Sequence, residues 1–154
     1  MSPYNIRVMI KEISGNIWTF DETKVITTNG NVKSNGNAVM GKGLAFQASL
    51  RFPFLSEELA EKLKEFGNKC FYFPDYDLIT FPTKDNWWED SSLDLIRKSM
   101  LGLVDICKSE NIKRVVMPRP GCKNGRLNWY DVRNKIIDII TDSDIEFIIC
   151  DANV

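Results

Sequence analysis

Two runs near the end of this chain, Val115-Val116-Met117 and Phe147-Ile148-Ile149-Cys150, are apolar at every position. A strand with one wet face alternates polar and apolar residues, so these two runs read as strands covered on both faces. The segments before each run carry a helical period instead. Leu93, Ile96, Met100, Leu103, Val104 and Cys107 share one stripe between Ser92 and Lys108. Trp129, Val132, Ile136, Ile139 and Ile140 form a second stripe. The order helix, strand, helix, strand predicts a layered α/β fold with a substantial parallel portion.

Four more runs read as strands: residues 4–13, 24–29, 69–74 and 77–82. They are rich in β-branched and aromatic residues, and Gly, Pro or Asn bounds several of them. A third helix is predicted from Lys42 to Arg51, ending near Pro53. A fourth is predicted from Ser56 to Phe66, with Ser56 as its N-cap and Gly67 as its stop. No repeat or linker-like shift in composition divides the 154 residues, which read as one domain spanning 1–154.

There is no histidine. That removes Ser-His-Asp and Cys-His catalysis, the usual general base and the commonest metal ligand. The four cysteines, at 70, 107, 122 and 150, are widely spaced and show no C-x-x-C pair, so they read as small buried hydrophobes. No metal and no cofactor is expected. A net charge of −1 argues against a broad basic surface but allows a local one. No apolar run approaches the roughly 20 residues that span a bilayer, so a cytoplasmic location without a membrane partner is expected. Oligomeric state is not readable.

In open α/β sheets ligands bind outside the carboxyl ends of strands, and three loops fall there. The first, residues 27–46, holds Asn29, Asn31, Asn35 and Asn37 and then opens a helix at Gly41-Lys42-Gly43. Free N–H groups at a helix start attract anions, and the asparagines suit sugar hydroxyls. The second runs from Met117 to Trp129, where Gly121 and Gly125 enclose Cys122, Lys123 and Asn124 and form a candidate nest of N–H groups. The third places Lys84 just past a strand end, beside Asp85 and close to Trp87 and Trp88. A lysine in a desolvated pocket loses its proton and becomes a nucleophile. Each loop also has a plain reading: a turn-rich surface loop, a second such loop, and a solvated lysine.

The three loops in this order resemble a macrodomain, the ADP-ribose-binding fold. The likeness extends from Ser14 nearly to the C-terminus. It is strongest to the branch of antitoxin-type DNA ADP-ribosyl glycohydrolases and terminal ADP-ribose glycohydrolases, through residues 40–45, 81–84 and 117–129. The resemblance implies a three-layer α/β/α fold around a central mixed, largely parallel sheet. It implies ADP-ribose, free or on a modified macromolecule (DNA or protein), as the partner.

By the same resemblance Asn16 and Ile17 meet adenine, with Asn16 standing where the family has aspartate. Asn35 contacts the distal ribose, with Asn29 as the rival, and Gly41, Lys42 and Gly43 face the ribose and pyrophosphate. Arg119, Pro120, Gly121, Cys122, Lys123, Asn124 and Gly125 wrap the diphosphate, and Ala152 lies near the adenosine. Lys84 acts at C1'' of the distal ribose as the catalytic residue, together with Asn35, and Asp85 lies in the substrate pocket. The chain departs from the family at Gly125, where the lysine–aspartate enzymes carry their base, and at Lys123, where glycine is usual. The implied activity is that of an ADP-ribosyl hydrolase. A phosphatase acting on ADP-ribose 1''-phosphate and a non-catalytic ADP-ribose reader remain open.

Overall fold

The computed structural model describes residues 9–151. The strands are β1 (Ile10–Ser14), β2 (Thr23–Thr28), β3 (Phe71–Phe73), β4 (Leu78–Pro82), β5 (Arg114–Met117) and β6 (Glu146–Asp151). The helices are α1 (Gly43–Arg51), α2 (Leu55–Phe66), α3 (Leu93–Ser109) and α4 (Trp129–Ser143). The strands form one sheet in the order β1-β6-β5-β2-β4-β3. Every pairing is parallel except β3 with β4. All six predicted strands and four predicted helices are present. The first strand is described only from Ile10, because residues 4–8 of the predicted run lie outside the described residues.

The apolar runs behave as their composition demands. Successive side chains of a strand point to opposite faces. Thus Val115 and Met117 pack with Ile96, Met100, Val132 and Ile136 of α3 and α4, while Val116 packs with Ala48, Leu55 and Leu59 of α1 and α2. The same split separates Phe147 and Ile149 from Ile148 and Cys150, and Val25 from Ile26. Two cores, one on each face, make the three layers.

Local chemistry sets the starts of α3 and α4 and the end of α2. Ser92 Oγ accepts from Leu95 N–H at 3.2 Å and starts α3, and Asn128 Oδ1 accepts from Tyr130 N–H at 2.8 Å and starts α4. Gly67 ends α2 at φ 87°. Ser56, however, is not the cap of α2. The helix starts one residue earlier at Leu55, with Phe54 in the cap position and no side-chain bond. Burial decides this start, because Leu55 is fully buried and its N–H bonds back to Phe52 O at 2.9 Å. Among the cysteines, 70, 107 and 150 are buried, and burial pushes the Cys70 and Cys107 thiols up to about 12.

Candidate active site

The carboxyl ends of β2, β4, β5 and β6 open into one cleft of about 1050 Å³. Both glycine loops and Lys84 line it. The first cradle is the start of α1. Lys42, in extended conformation, precedes the helix without a side-chain cap, so the first N–H groups of α1 keep their attraction for an anion. Gly43 takes φ 60°, and a Cβ there would lie 3.1 Å from Asn124 Nδ2. The two cradles therefore face each other across the cleft.

The second cradle turns tightly on itself, with Leu127 N–H donating to Gly121 O at 2.8 Å. Gly121 takes φ 77°, and a Cβ would press on Ile96, Leu127 and Ser91 at 2.9–3.0 Å. At Gly125 a Cβ would collide with Ser91 Oγ and lie 2.6 Å from Gly121 O. This backbone has no room for the aspartate that the lysine–aspartate enzymes carry there. Cys122 lies on the wall, but burial pushes its thiol up to about 11, which leaves it protonated at neutral pH and a poor nucleophile. Lys123 is exposed on the cleft rim, clear of the loop interior, and adds positive charge there.

Lys84 lies two residues past the end of β4 and is half-buried. Burial lowers its pKa first, and the charge of Lys42 lowers it further. Arg126 acts in the same direction, against Asp90 and Glu89. The neighbouring Asp85 is turned away, with Oδ1 accepting from Asn68 Nδ2 at 2.9 Å. Asp85 therefore contributes no carboxylate to the cleft, contrary to expectation.

Four other expected contacts also stay off the cleft wall. Asn35 sits exposed on a small turn closed by the Val32–Ala38 bridge, and its Oδ1 accepts from Asn37 N–H at 3.0 Å. Local hydrogen bonding claims it, as Asx residues in turns commonly do. The rival, Asn29, is the asparagine on the wall. It ties the loop together through Nδ2 to Val39 O at 3.2 Å and through Oδ1, which accepts from Asn31 N–H at 3.0 Å. Asn16 caps a 3-10 turn by accepting from Trp18 N–H at 2.9 Å, and Ile17 is fully buried in the core. Their segment nonetheless abuts the end of β6, where Gly15 N–H reaches Asp151 O at 3.4 Å. Pro120 is buried within its loop. Ala152 lies outside the described residues.

The structure also brings in residues that the sequence did not single out. Asp151 lines the cleft at the end of β6, with Arg119 Nη1 3.6 Å from its Oδ2. The Arg119 guanidinium lies 5.4 Å from the Trp129 ring, and Trp129 Nε1 donates to Glu12 at 2.8 Å. Ser91 and Phe46 complete the wall. Asp151 was hidden among strand residues and Ser91 beside a helix cap, so neither carried a sequence signal of its own.

Two opposed anion cradles at the carboxyl ends of a β1-β6-β5-β2-β4-β3 sheet, with helices on both faces, define a class. The chain belongs to the macrodomain family. Over 138 residues it is 31% identical to the DNA ADP-ribosyl glycohydrolase of Mycobacterium tuberculosis, covering 84% of this chain and 38% of that protein. The chain thus spans well under half the length of the curated relatives it matches. The macrodomain of Mycobacterium tuberculosis DarG superposes with a TM-score of 0.78 at 28% identity, covering 94% of this chain and 99% of that one. Thermosipho africanus DarTG in complex with ADP-ribose superposes at 0.73 with 25% identity, covering 91% of this chain and 41% of that one. No family model matches the chain.

Proposed function

We propose that this protein is an ADP-ribosyl hydrolase that binds ADP-ribose in the cleft and removes it from a modified macromolecule. The observation that carries the reading is Lys84, a half-buried lysine with a lowered pKa, on the same cleft wall as two facing anion cradles. The cradles take the diphosphate, and Asn29 rather than Asn35 lies in reach of the distal ribose. Asp151 offers the adenosine end the carboxylate that Asn16 lacks. Neutral Lys84 Nζ attacks C1''. The bond from C1'' to the modified group breaks, and its electron pair leaves with that group, which takes up the proton shed by the new C1''–Nζ ammonium; water then adds at C1'', breaks the C1''–Nζ bond, releases ADP-ribose and restores the lysine. With no carboxylate at 125, the N–H groups of the cradles act by holding the diphosphate and so fixing the distal ribose against Lys84.

DNA is the substrate that the mouth of the cleft favours. Trp87 on the wall and the adjacent Trp88 are 52% and 65% exposed and meet edge to face, 5.7 Å between ring centroids. Exposed Lys42, Lys123 and Arg126 stand nearby in the two loops. Aromatic platforms beside cations suit bases and phosphates of a single strand. Lys33 is exposed on the 33–37 turn and stays off the cleft wall.

The test compares wild type and Lys84→Ala on ADP-ribosylated DNA, ADP-ribosylated protein and ADP-ribose 1''-phosphate. Release of ADP-ribose from DNA should fall at least about 100-fold in the variant, while affinity for free ADP-ribose stays within about threefold. Undiminished turnover by Lys84→Ala would remove the lysine mechanism. Phosphate release alone would make the protein a phosphatase, and binding without turnover of any substrate would make it a reader.

A further inference from the structure

The second glycine loop rests on a hydroxyl that is left without a bond. Ser91 is 7% exposed, and its Oγ has no hydrogen-bond partner among the described residues. A buried polar group without a partner is costly, and in a native fold each such group calls for a reason. This one lies in the wall of the cleft. Its hydroxyl takes up the space into which a side chain at position 125 would project, and its Cβ lies 3.0 Å from the point a Cβ at Gly121 would occupy.

The backbone around Ser91 links the two parts of the site. Ser91 N–H donates to Gly125 O at 3.0 Å, and Ser92 N–H donates to Thr83 O at 2.9 Å. These adjacent residues clasp the glycine loop with one bond and the residue before Lys84 with the other. A shift of the loop is therefore felt at the lysine, and Ser91 is where the two meet.

We propose that Ser91 is a positioning residue whose hydroxyl forms its hydrogen bond when the second glycine loop closes on a diphosphate, setting that loop in register with Lys84. The inference rests on the ADP-ribosyl reading above. The diphosphate draws the N–H groups of residues 121–125 toward its oxygens. Peptide planes flanked by glycine turn at low cost, and the turn brings a loop carbonyl to the waiting Oγ. The bond is thus made in the bound state and is missing from the free one.

Ser91→Ala separates this role from a structural one, because it should move stability and affinity in opposite directions. Removing an unpaired hydroxyl leaves the thermal midpoint of the free protein unchanged or higher. Removing a bond made only in the complex weakens ADP-ribose binding by about tenfold in a calorimetric titration. Ser99→Ala is the control. Ser99 is also buried, off the cleft wall, and its Oγ already donates to Pro82 O at 2.6 Å. That variant should lower the thermal midpoint and leave affinity unchanged.

Wild-type affinity in Ser91→Ala overturns the inference. So does a fall in its thermal midpoint like that of Ser99→Ala, or failure to fold, since either means that the hydroxyl is already bonded in the free protein. If wild type itself takes up no ADP-ribose, the ADP-ribosyl reading fails and this inference falls with it.

Discussion

The chemistry of single residues in this cleft is set by what surrounds them rather than by their type. Lys84 is one of many lysines, and its distinction is partial burial beside Lys42 with Asp85 turned aside. An amine must be neutral to attack carbon, so a lowered pKa enlarges the reactive fraction at neutral pH. Turnover should therefore rise with pH through a midpoint below the 10.5 of an ordinary lysine. Lys42→Met removes one of the two leading causes and should shift that midpoint upward. Measuring rate against pH for both proteins checks this, and an unmoved midpoint would show that the Lys42 charge does not tune the amine. Asn29 and Asn35 differ in the same way. Both are loop asparagines whose side-chain carbonyl accepts from the N–H two residues on, but Asn35 does so on an exposed turn, whereas Asn29 directly follows β2 on the cleft wall.

At the scale of elements, helix starts carry both stability and function, and the caps show which is which. The start of α1 has no side-chain cap and faces the cleft with its N–H groups free for an anion. The start of α3 is capped by Ser92 Oγ, and the Ser92 backbone holds Thr83 beside the lysine. Ser92→Ala should destabilise the fold by about 1 kcal/mol, the usual worth of such a cap. It should leave the backbone bond to Thr83, and with it most of the activity, in place. Denaturant unfolding gives the first number and an initial-rate assay the second. An activity loss far greater than the stability loss would mean that the cap also fixes the site. The start of α2 needs no cap residue, because buried Leu55 anchors it.

For the whole molecule, the parallel sheet does two things at once. Its alternating side chains feed two cores, one under α1 and α2 and one under α3 and α4. Its parallel strands β2, β4, β5 and β6 reach the cleft with the same end, so residues far apart in the chain converge there. Ligand binding should consequently stabilise the fold as a unit. ADP-ribose at about 100 times its Kd should add about 2.7 kcal/mol. That corresponds to a rise of roughly 5–10 °C in Tm for a chain of this length. Thermal scans with and without ligand test this. Lys84→Ala should show the same rise, since it retains the cradles. A missing rise in both proteins would mean that the cleft does not hold this ligand.

Much of this architecture was legible in the residues alone. Continuous apolar runs alternating with helical stripes leave few folds open, because each strand face must be covered and helices are the only partners at hand. Glycine clusters after strands marked the two cradles, since the required backbone turns are a local property. Which side chains enter the cleft was not local. Asn35 turned to the N–H two residues on, Asp85 to Asn68, 17 residues away in the chain, and Ser56 yielded its cap to the burial of Leu55. Ser91 and Asp151 gained their places only when β4, β2, β5 and β6 came together in one sheet. Sequence thus determined the layers and the anion loops through short-range rules of pattern and turn. Tertiary packing decided the pocket's side chains, because a hydrogen bond or a lowered pKa belongs to a pair of groups and exists only once folding has brought the pair together.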